Sequence, residues 1–299
     1  MVYVSVIVPS IGRESLAKCL SSLQNQTFDD FETIVVGTTQ KCRRIVERFP
    51  DVRFAHSSFW NNAYQKNLGV KLANGKIVAF IDDDSLASPR WLEFLIRHYK
   101  RKEVACVGGK IDLLVIEELP AYLKKLPYTM VRGFLGQTLL SYRKAKVLKD
   151  ALLWGSNISF RKETFLEVGG FEIKLGRTIT SLESEEERSL QMKLIRKGYK
   201  IIYEPRSVVR HLVPQSRLTK EYFIRRAFWQ GYSEAMRTST SCMTEVQLLE
   251  PFLLSVVSKY LLKFVLAKDF SERLRIIQRI GRIVGLFQAV RNDSFQFDF

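Results

Sequence analysis

Cysteine is scarce in this chain: 299 residues hold four, Cys19, Cys42, Cys106 and Cys242, and no two form a C-x-x-C pair. Such scattered thiols supply neither a zinc site nor a disulfide framework, and they suit a reducing, cytoplasmic setting. Glycine-rich phosphate loops are missing as well. Neither G-x-G-x-x-G nor G-x-x-x-x-G-K-[ST] follows any candidate strand, which argues against dinucleotide-dependent and P-loop enzymes. No apolar run reaches the roughly 20 residues that span a bilayer. The opening MVYVSVIVPS has no basic flank or long apolar stretch and reads as a strand rather than a signal peptide. Acidic residues are outnumbered, 31 against 47 basic ones. The resulting charge of +16 and pI near 9.7 call for an anionic partner: nucleic acid, an acidic membrane or a phosphorylated substrate.

What is present is an ordinary globular composition, 46% hydrophobic, in a chain long enough for one large domain or two modest ones. Its first part alternates strand and helix. Strands are predicted at 4–8, 31–36, 52–55 and 77–81, and helices at 14–24, 40–49 and 63–73, the last stopped by Asn74-Gly75. In the helix at 14–24, Leu16, Cys19, Leu20 and Leu23 share one face. This order predicts an α/β sheet of parallel strands whose ligands sit beyond the carboxyl ends. The residues there are Pro9, Ser10 and Arg13, then Thr38, then Asp82, Asp83 and Asp84. Residues 110–149 read as loops and short helices over the sheet. Beyond them follow an acidic helix at 184–197 capped by Gly198, strands at 199–203 and 208–210, and helices from Leu218 onward.

Three successive aspartates at the end of an apolar strand repel one another unless a cation compensates. Along an extended chain Asp82 and Asp84 face one side and Asp83 the other, so two carboxylates converge. Mn²⁺ or Mg²⁺ would join such carboxylates to a substrate diphosphate. The plainer reading is a solvated acidic turn that enters a helix at Ser85, Ser88 and Pro89.

Four ordered blocks, VSVIVPSIGR, QKNLGVKLANGKIVAFIDDD, GSNISFRKETFLEVGGF and EEERSLQMKLIRKGYKIIYEPRSVVRH, resemble the family 2 glycosyltransferases of the GT-A fold across residues 3–230. The resemblance implies an α/β nucleotide-diphospho-sugar transferase sheet flanked by helices at 1–217, with a basic helical extension at 218–299. It implies an inverting, metal-dependent transfer from a nucleotide-sugar donor to an acceptor hydroxyl. By it, Asp82 contacts the ribose, Asp84 the metal, Asp83 assists, and His211 completes the metal site. Pro9, Ser10, Arg13 and Thr38 belong to the donor side. Lys66, where relatives often carry arginine before Asn67, keeps a positive charge near the diphosphate. Trp154, Gly155, Ser156 and Asn157 match the acceptor-side block. One position departs: relatives place a nucleobase-binding aspartate after the second strand, where this chain has Gly37-Thr38-Thr39, so UDP is only the default.

Glu183, Glu185, Glu186 and Glu187 precede the helical face of Leu190, Leu194 and Ile195. Negative charge suits a helix N-terminus, but carboxylates this crowded raise at least one pKa, as a general base near neutral pH requires. Counting back from Gly198, Glu186 and Glu187 coincide with the family's Glu-Asp pair, whose second member activates the acceptor. The resemblance therefore implies Glu187 as the base. Glu186 is the alternative, because the extra methylene at the second position shifts its carboxylate.

The tail is basic and apolar. At 252–267 a polar stripe of Ser255, Lys259 and Lys263 interrupts apolar residues, and at 274–290 Arg275, Arg279 and Arg282 oppose Ile276, Ile280, Ile283, Val284 and Phe287. Either these helices lie on the cytoplasmic face of a membrane, which would suit a lipid-linked acceptor, or they pack on the catalytic domain or dimerise. Two other functions compete. A nucleotidyltransferase would need a glycine-rich N-terminal loop that is missing. A nucleic-acid-binding protein would exploit the charge, but no helix-turn-helix, RNP or finger pattern occurs, so nucleic acid is not expected.

Overall fold

The computed structural model describes residues 2–115, 118–238 and 250–294, with side chains except at 115, 250–257 and 290–294. The chain begins with β1 (Val4–Ser10), α1 (Ser15–Gln24), β2 (Phe31–Gly37), α2 (Gln40–Val46), β3 (Val52–His56), α3 (Asn62–Leu72) and β4 (Ile77–Phe80). These match the predicted order, and their strands pair in parallel. Alternation along each strand gives the sheet two apolar faces. Val4, Val6 and Val8 of β1 pack with Val35, Ile77 and Ala79 against Leu16, Cys19, Leu20 and Leu23 of α1. On the other face Ile7 packs with Ile34, Val36, Val78 and Phe80 against Ala63 and Val70 of α3.

Next come β5 (Ser85–Ala87), α4 (Trp91–Ile96), β6 (Val104–Val115), α5 (Ala121–Lys124), α6 (Tyr128–Phe134) and β7 (Lys146–Leu148). They are followed by β8 (Ile158–Arg161), α7 (Lys162–Glu167), α8 (Glu186–Arg196) and β9 (Lys200–Val213). The nine-stranded sheet runs β3-β2-β1-β4-β8-β6-β9-β5, with β7 also on β9. The sheet is mixed, which corrects the all-parallel expectation: β8 lies antiparallel between β4 and β6. It enters from the end where β4 leaves, so Ile158 sits opposite Phe80. The residues just before β8 are thereby set beside the aspartates just after β4.

Ser85 opens the short strand β5, which pairs antiparallel with β9 and puts Ser85 opposite His211. The helix entrance read from Ser85, Ser88 and Pro89 leads into α4, whose Trp91 amide donates to the Ser88 carbonyl at 2.9 Å. The two strands expected at 199–203 and 208–210 are one. Around Pro205 the pairing of β9 with β6 jumps from Glu204 opposite Gly109 to Val208 opposite Lys110, a bulge of the kind proline favours. Residues 110–115, expected in a loop, continue β6 as the partner of that long strand. Cys19, Cys42 and Cys106 are buried free thiols, and Cys242 lies outside the described residues.

The C-terminal helices are α9 (Lys220–Thr238), α10 (Glu250–Leu266) and α11 (Phe270–Ser294). α9 and α11 approach so closely that a Cβ on Gly231 would stand 1.9 Å from the Gln278 carbonyl oxygen, and one on Gly281 2.0 Å from that of Phe228. Leu274, Ile276 and Ile280 of α11 are buried in this packing, while Arg275, Arg279 and Arg282 face solvent. The apolar face of α11 is therefore a packing surface, not a membrane-facing one. On α10 the apolar side chains Leu261, Leu262, Val265 and Leu266 are exposed beside Lys259 and Lys263. No helix among the described residues is long and apolar enough to cross a membrane.

Candidate active site

The aspartate run is not extended, as alternation had predicted. The strand stops at Phe80, and Asp83 and Asp84 form a turn in which the Ser85 amide donates to the Asp82 carbonyl at 3.1 Å. Asp83 consequently turns to Ser10 and Arg13, and Asp84 to Arg217 and His211. Asp83 is 1% exposed; it accepts from Ser10 Oγ at 2.7 Å and from Arg13 Nη1 at 2.5 Å. Pro9 and Ser10, expected to touch the donor, are buried in β1, and the Ser10 hydroxyl is spent fixing Asp83. Thr38 is half-buried after β2, and its neighbour Thr39 caps α2 by accepting from the Cys42 amide at 3.1 Å.

Asp84 is buried beside two arginines and a histidine. Arg217 Nη2 lies at 2.9 Å, His211 Nε2 at 3.3 Å and Arg13 Nη1 at 3.7 Å. Burial alone would raise its pKa, but His211, Arg217 and Arg13 together hold it well below the usual carboxylate range. His211 Nδ1 faces the Leu135 carbonyl at 2.9 Å, an acceptor only, so the ring donates there. Its Nε2 lies 2.8 Å from Arg217 Nη1. Asp84 Oδ1 and His211 Nε2 thus converge on one point, and the Arg217 guanidinium supplies the positive charge there. A carboxylate and an imidazole oriented by a backbone carbonyl are a donor set that fits Mn²⁺ or Mg²⁺ completed by phosphate oxygens. Among the described residues no three or more His, Cys, Asp or Glu side chains gather to hold a metal ion, so Asp82 does not join Asp84 and His211 in a three-ligand set.

The second acidic cluster opens α8. Glu186 and Glu187 occupy its first turn, and Lys66 of α3, fully buried, reaches Glu187 Oε1 at 2.5 Å and Glu186 Oε1 at 3.4 Å. Lys66 was expected at the diphosphate; the fold turns it inward to neutralise this pair instead. Burial would lower its pKa, but Glu187, Glu186 and Asp82 outweigh that and raise it. Burial and the Glu187 carboxylate raise Glu186 to about 8. Burial acts the same way on Glu187, where Lys66 overcomes it and keeps the pKa low. Near neutral pH the cluster therefore reads as a lysine ammonium, an ionised Glu187 and a protonated Glu186. Glu186 Oε1 accepts from Asn62 Nδ2 at 3.4 Å, and its Oε2 is buried without a partner.

Gly155 is what makes room for this arrangement. A Cβ there would stand 1.8 Å from Glu187 Oε1 and 2.6 Å from Lys66 Nζ. Trp154, Gly155, Ser156, Asp82, Glu186, Glu187, His211 and Arg217 all line one cavity, so residues expected on the donor side and on the acceptor side meet. Of the expected residues, Pro9, Ser10, Arg13, Thr38, Lys66, Asp83 and Asp84 stand outside its lining, and the two asparagines do not join it either. Asn67 closes the Gly170-Phe171 turn, donating to the Phe171 carbonyl at 2.8 Å and accepting from its amide at 3.0 Å. Asn157 is fully buried and saturated by Trp91, Lys110 and Ser207. Both amides are spent on holding loops, because a buried amide must satisfy its own donors and acceptor.

The cavity also has walls that motif reading missed. Tyr222 and Arg226 come from α9, and Arg177 and Asn62 from elsewhere in the chain. The available signal was Arg226 itself, a charge in the buried stripe of Phe223, Ala227 and Gly231. α9 further anchors the loop that starts α8. Glu185, 9% exposed, has the left-handed φ of 110°. Such a conformation costs a non-glycine residue about 1–3 kcal/mol. It is held by Arg237 Nε at 2.7 Å and Gln230 Nε2 at 3.2 Å.

The chain matches the family described as Glycosyl transferase family 2 over residues 5–167. It is 29% identical over 246 residues to the glucosyl-dolichyl phosphate glucuronosyltransferase of Haloferax volcanii, spanning 77% of this chain and 76% of that protein. It is 28% identical over 172 residues to the pre-mycofactocin glycosyltransferase of Mycobacterium tuberculosis, 56% of this chain but only 33% of that protein. The crystal structure of GalNAc-T7 with UDP, GalNAc and Mn²⁺ superposes with a TM-score of 0.56 at 15% identity, covering 85% of this chain and 54% of that one. At that identity the likeness speaks for the fold alone. With a family match over more than half its length and a GT-A-like α/β sheet, the chain belongs to glycosyl transferase family 2 and is a glycosyltransferase.

Proposed function

We propose that the enzyme transfers a sugar, with inversion, from a nucleotide-diphosphate donor to an acceptor hydroxyl in a metal-dependent reaction. The observation that carries this reading is the one cavity that both acidic clusters reach: Asp82 and His211 line it, with Asp84 3.3 Å behind His211, and Glu186 and Glu187 line it too. Asp84 and His211 would hold a divalent metal, which when bound neutralises charge on the departing diphosphate. Glu187, the carboxylate that stays ionised, takes the proton of the acceptor hydroxyl, and the raised pKa expected of the base falls on its neighbour Glu186 instead. The acceptor oxygen then forms its bond to the anomeric carbon from the face opposite the diphosphate as the bond to the diphosphate oxygen breaks. Lys66 keeps Glu187 charged and positioned, and Arg13 and Arg217 flank the diphosphate. The test is release of nucleoside diphosphate from a panel of nucleotide sugars with and without Mn²⁺. Metal-dependent release from at least one donor is expected. Pyrophosphate release from a nucleoside triphosphate and a sugar phosphate would instead mark a nucleotidyltransferase.

The acceptor we propose is lipid-linked, reached by peripheral contact with an anionic membrane. Two features support it: the name of the Haloferax volcanii relative, and the exposed Leu261, Leu262, Val265 and Leu266 on α10, which packs against α11 with its solvent-facing arginines. Each basic residue near a charged leaflet contributes about 1 kcal/mol. The full chain is expected to co-sediment with phosphatidylserine-containing liposomes at low salt, to release as salt rises, and to lose binding when Arg275, Arg279 and Arg282 become glutamate. No binding at low salt would reassign the α10 surface to a contact with protein.

A further inference from the structure

The cavity wall supplied by α9 holds a charge without a counterpart. Arg226 is 3% exposed. Its Nη2 donates to Ser184 Oγ at 3.3 Å, its Nη1 has no partner, and its guanidinium lies 5.9 Å from the Phe134 ring. Among the described residues no carboxylate stands within ion-pair distance of it. Two glutamates act from further off, Glu185 and Glu234, but each is engaged elsewhere. Glu185 binds Arg237 at 2.7 Å, and Glu234 accepts from Gln230 at 2.9 Å. Burial, and then the like charge of Arg177, push Arg226 down to about 10. Arg177, Ser184, Phe134 and Tyr222 line the same cavity as the Glu186–Glu187 pair.

A buried guanidinium with an idle N–H is costly unless an anion meets it. The donor's diphosphate does not account for it. That end of the cavity has its own cations, since Arg217 and Arg13 attend Asp84. Tyr222 is in electrostatic reach of both Arg217 and Arg226, which sets Arg226 as the next cation along the wall rather than part of the Asp84 cluster.

We propose that Arg226, with Arg177 and Ser184, forms a subsite for an anionic group, a carboxylate or a phosphate, carried by the transferred sugar or by the acceptor. The guanidinium fork recognises either anion through two parallel N–H donors. This inference rests on the transferase reading above and deepens it: one substrate carries a negative charge besides the diphosphate.

The test is calorimetry on the full chain with Mn²⁺, in two arms. One arm compares UDP-glucuronic acid with UDP-glucose. The other, in saturating UDP to fill the diphosphate end, compares glucose 1-phosphate with methyl glucoside. In one arm the anionic probe is expected to bind about tenfold or more tightly than its neutral counterpart, as suits a charge-assisted bidentate contact. That preference should fall to near unity in Arg226→Gln and be partly kept in Arg226→Lys, which retains the charge without the fork. Preference in the nucleotide-sugar arm assigns the anion to the donor sugar, and preference in the other assigns it to the acceptor. Equal binding in both arms, or a preference unchanged in Arg226→Gln, overturns the inference. If Arg226→Gln does not fold, Arg226→Lys decides, and a preference as strong as wild type overturns it. Protein that binds UDP without preference leaves the transferase reading standing. Protein that binds neither UDP nor any probe removes both.

Discussion

Glu187→Gln should lower turnover about 10²–10⁴-fold, the range lost with a general base, while donor affinity changes little. Glu186→Gln should cost much less, within about tenfold, because an amide resembles the protonated carboxyl that Glu186 already presents near neutral pH. The asymmetry comes from Lys66, which holds Glu187 ionised and leaves burial to raise its neighbour. Neither variant should unfold the protein. In Glu187→Gln the remaining carboxylate of Glu186, 3.4 Å from Lys66 Nζ, ionises in its partner's place. Steady-state kinetics with donor binding measured separately checks this. Normal turnover in Glu187→Gln together with an inactive Glu186→Gln would move the base by one residue.

Asp84→Asn should abolish metal-dependent transfer and remove the metal dependence of nucleoside diphosphate binding. The amide keeps the shape of the side chain but loses the charge on which His211, Arg217 and Arg13 converge. Isothermal titration with UDP, with and without Mn²⁺, gives the answer. Equal metal dependence in wild type and variant would refute Asp84 as the metal's anchor. Stability should respond as well. Breaking a buried ion pair costs about 3–5 kcal/mol, so the variant should melt lower at neutral pH. Asp84 is depressed below its unfolded pKa, so its stabilisation is present above that pKa and is lost as pH falls toward the folded one. The gap in melting temperature between the two proteins should therefore narrow in acid.

The hydrophobic pattern carried much of the architecture. Period-two runs and amphipathic faces located β1 to β4 and α1 to α3, because burial of one side is a local property of the chain. The two acidic clusters were legible for a related reason: adjacent like charges stand out against any structural use. Partner choice was not legible. Lys66, Asn67 and Asn157 sit in blocks that look like ligand contacts, yet the fold spends all three internally, on Glu187, on Phe171 and on Trp91. A sequence shows that a polar side chain exists and not which polar group it meets.

By itself, then, the sequence determined an α/β sheet with carboxylates at the end of β4 and a second acidic group at the start of α8. Tertiary structure alone decided how these become one site. The antiparallel entry of β8 sets Trp154, Gly155 and Ser156 beside Asp82, and the long β9 carries His211 back to Asp84. α9 fixes Glu185 and lends Arg226 to the cavity. The physical reason is that periodicity specifies which face of an element is buried, whereas the strand order and the packing of α9 specify against what, and a site is made of those pairings.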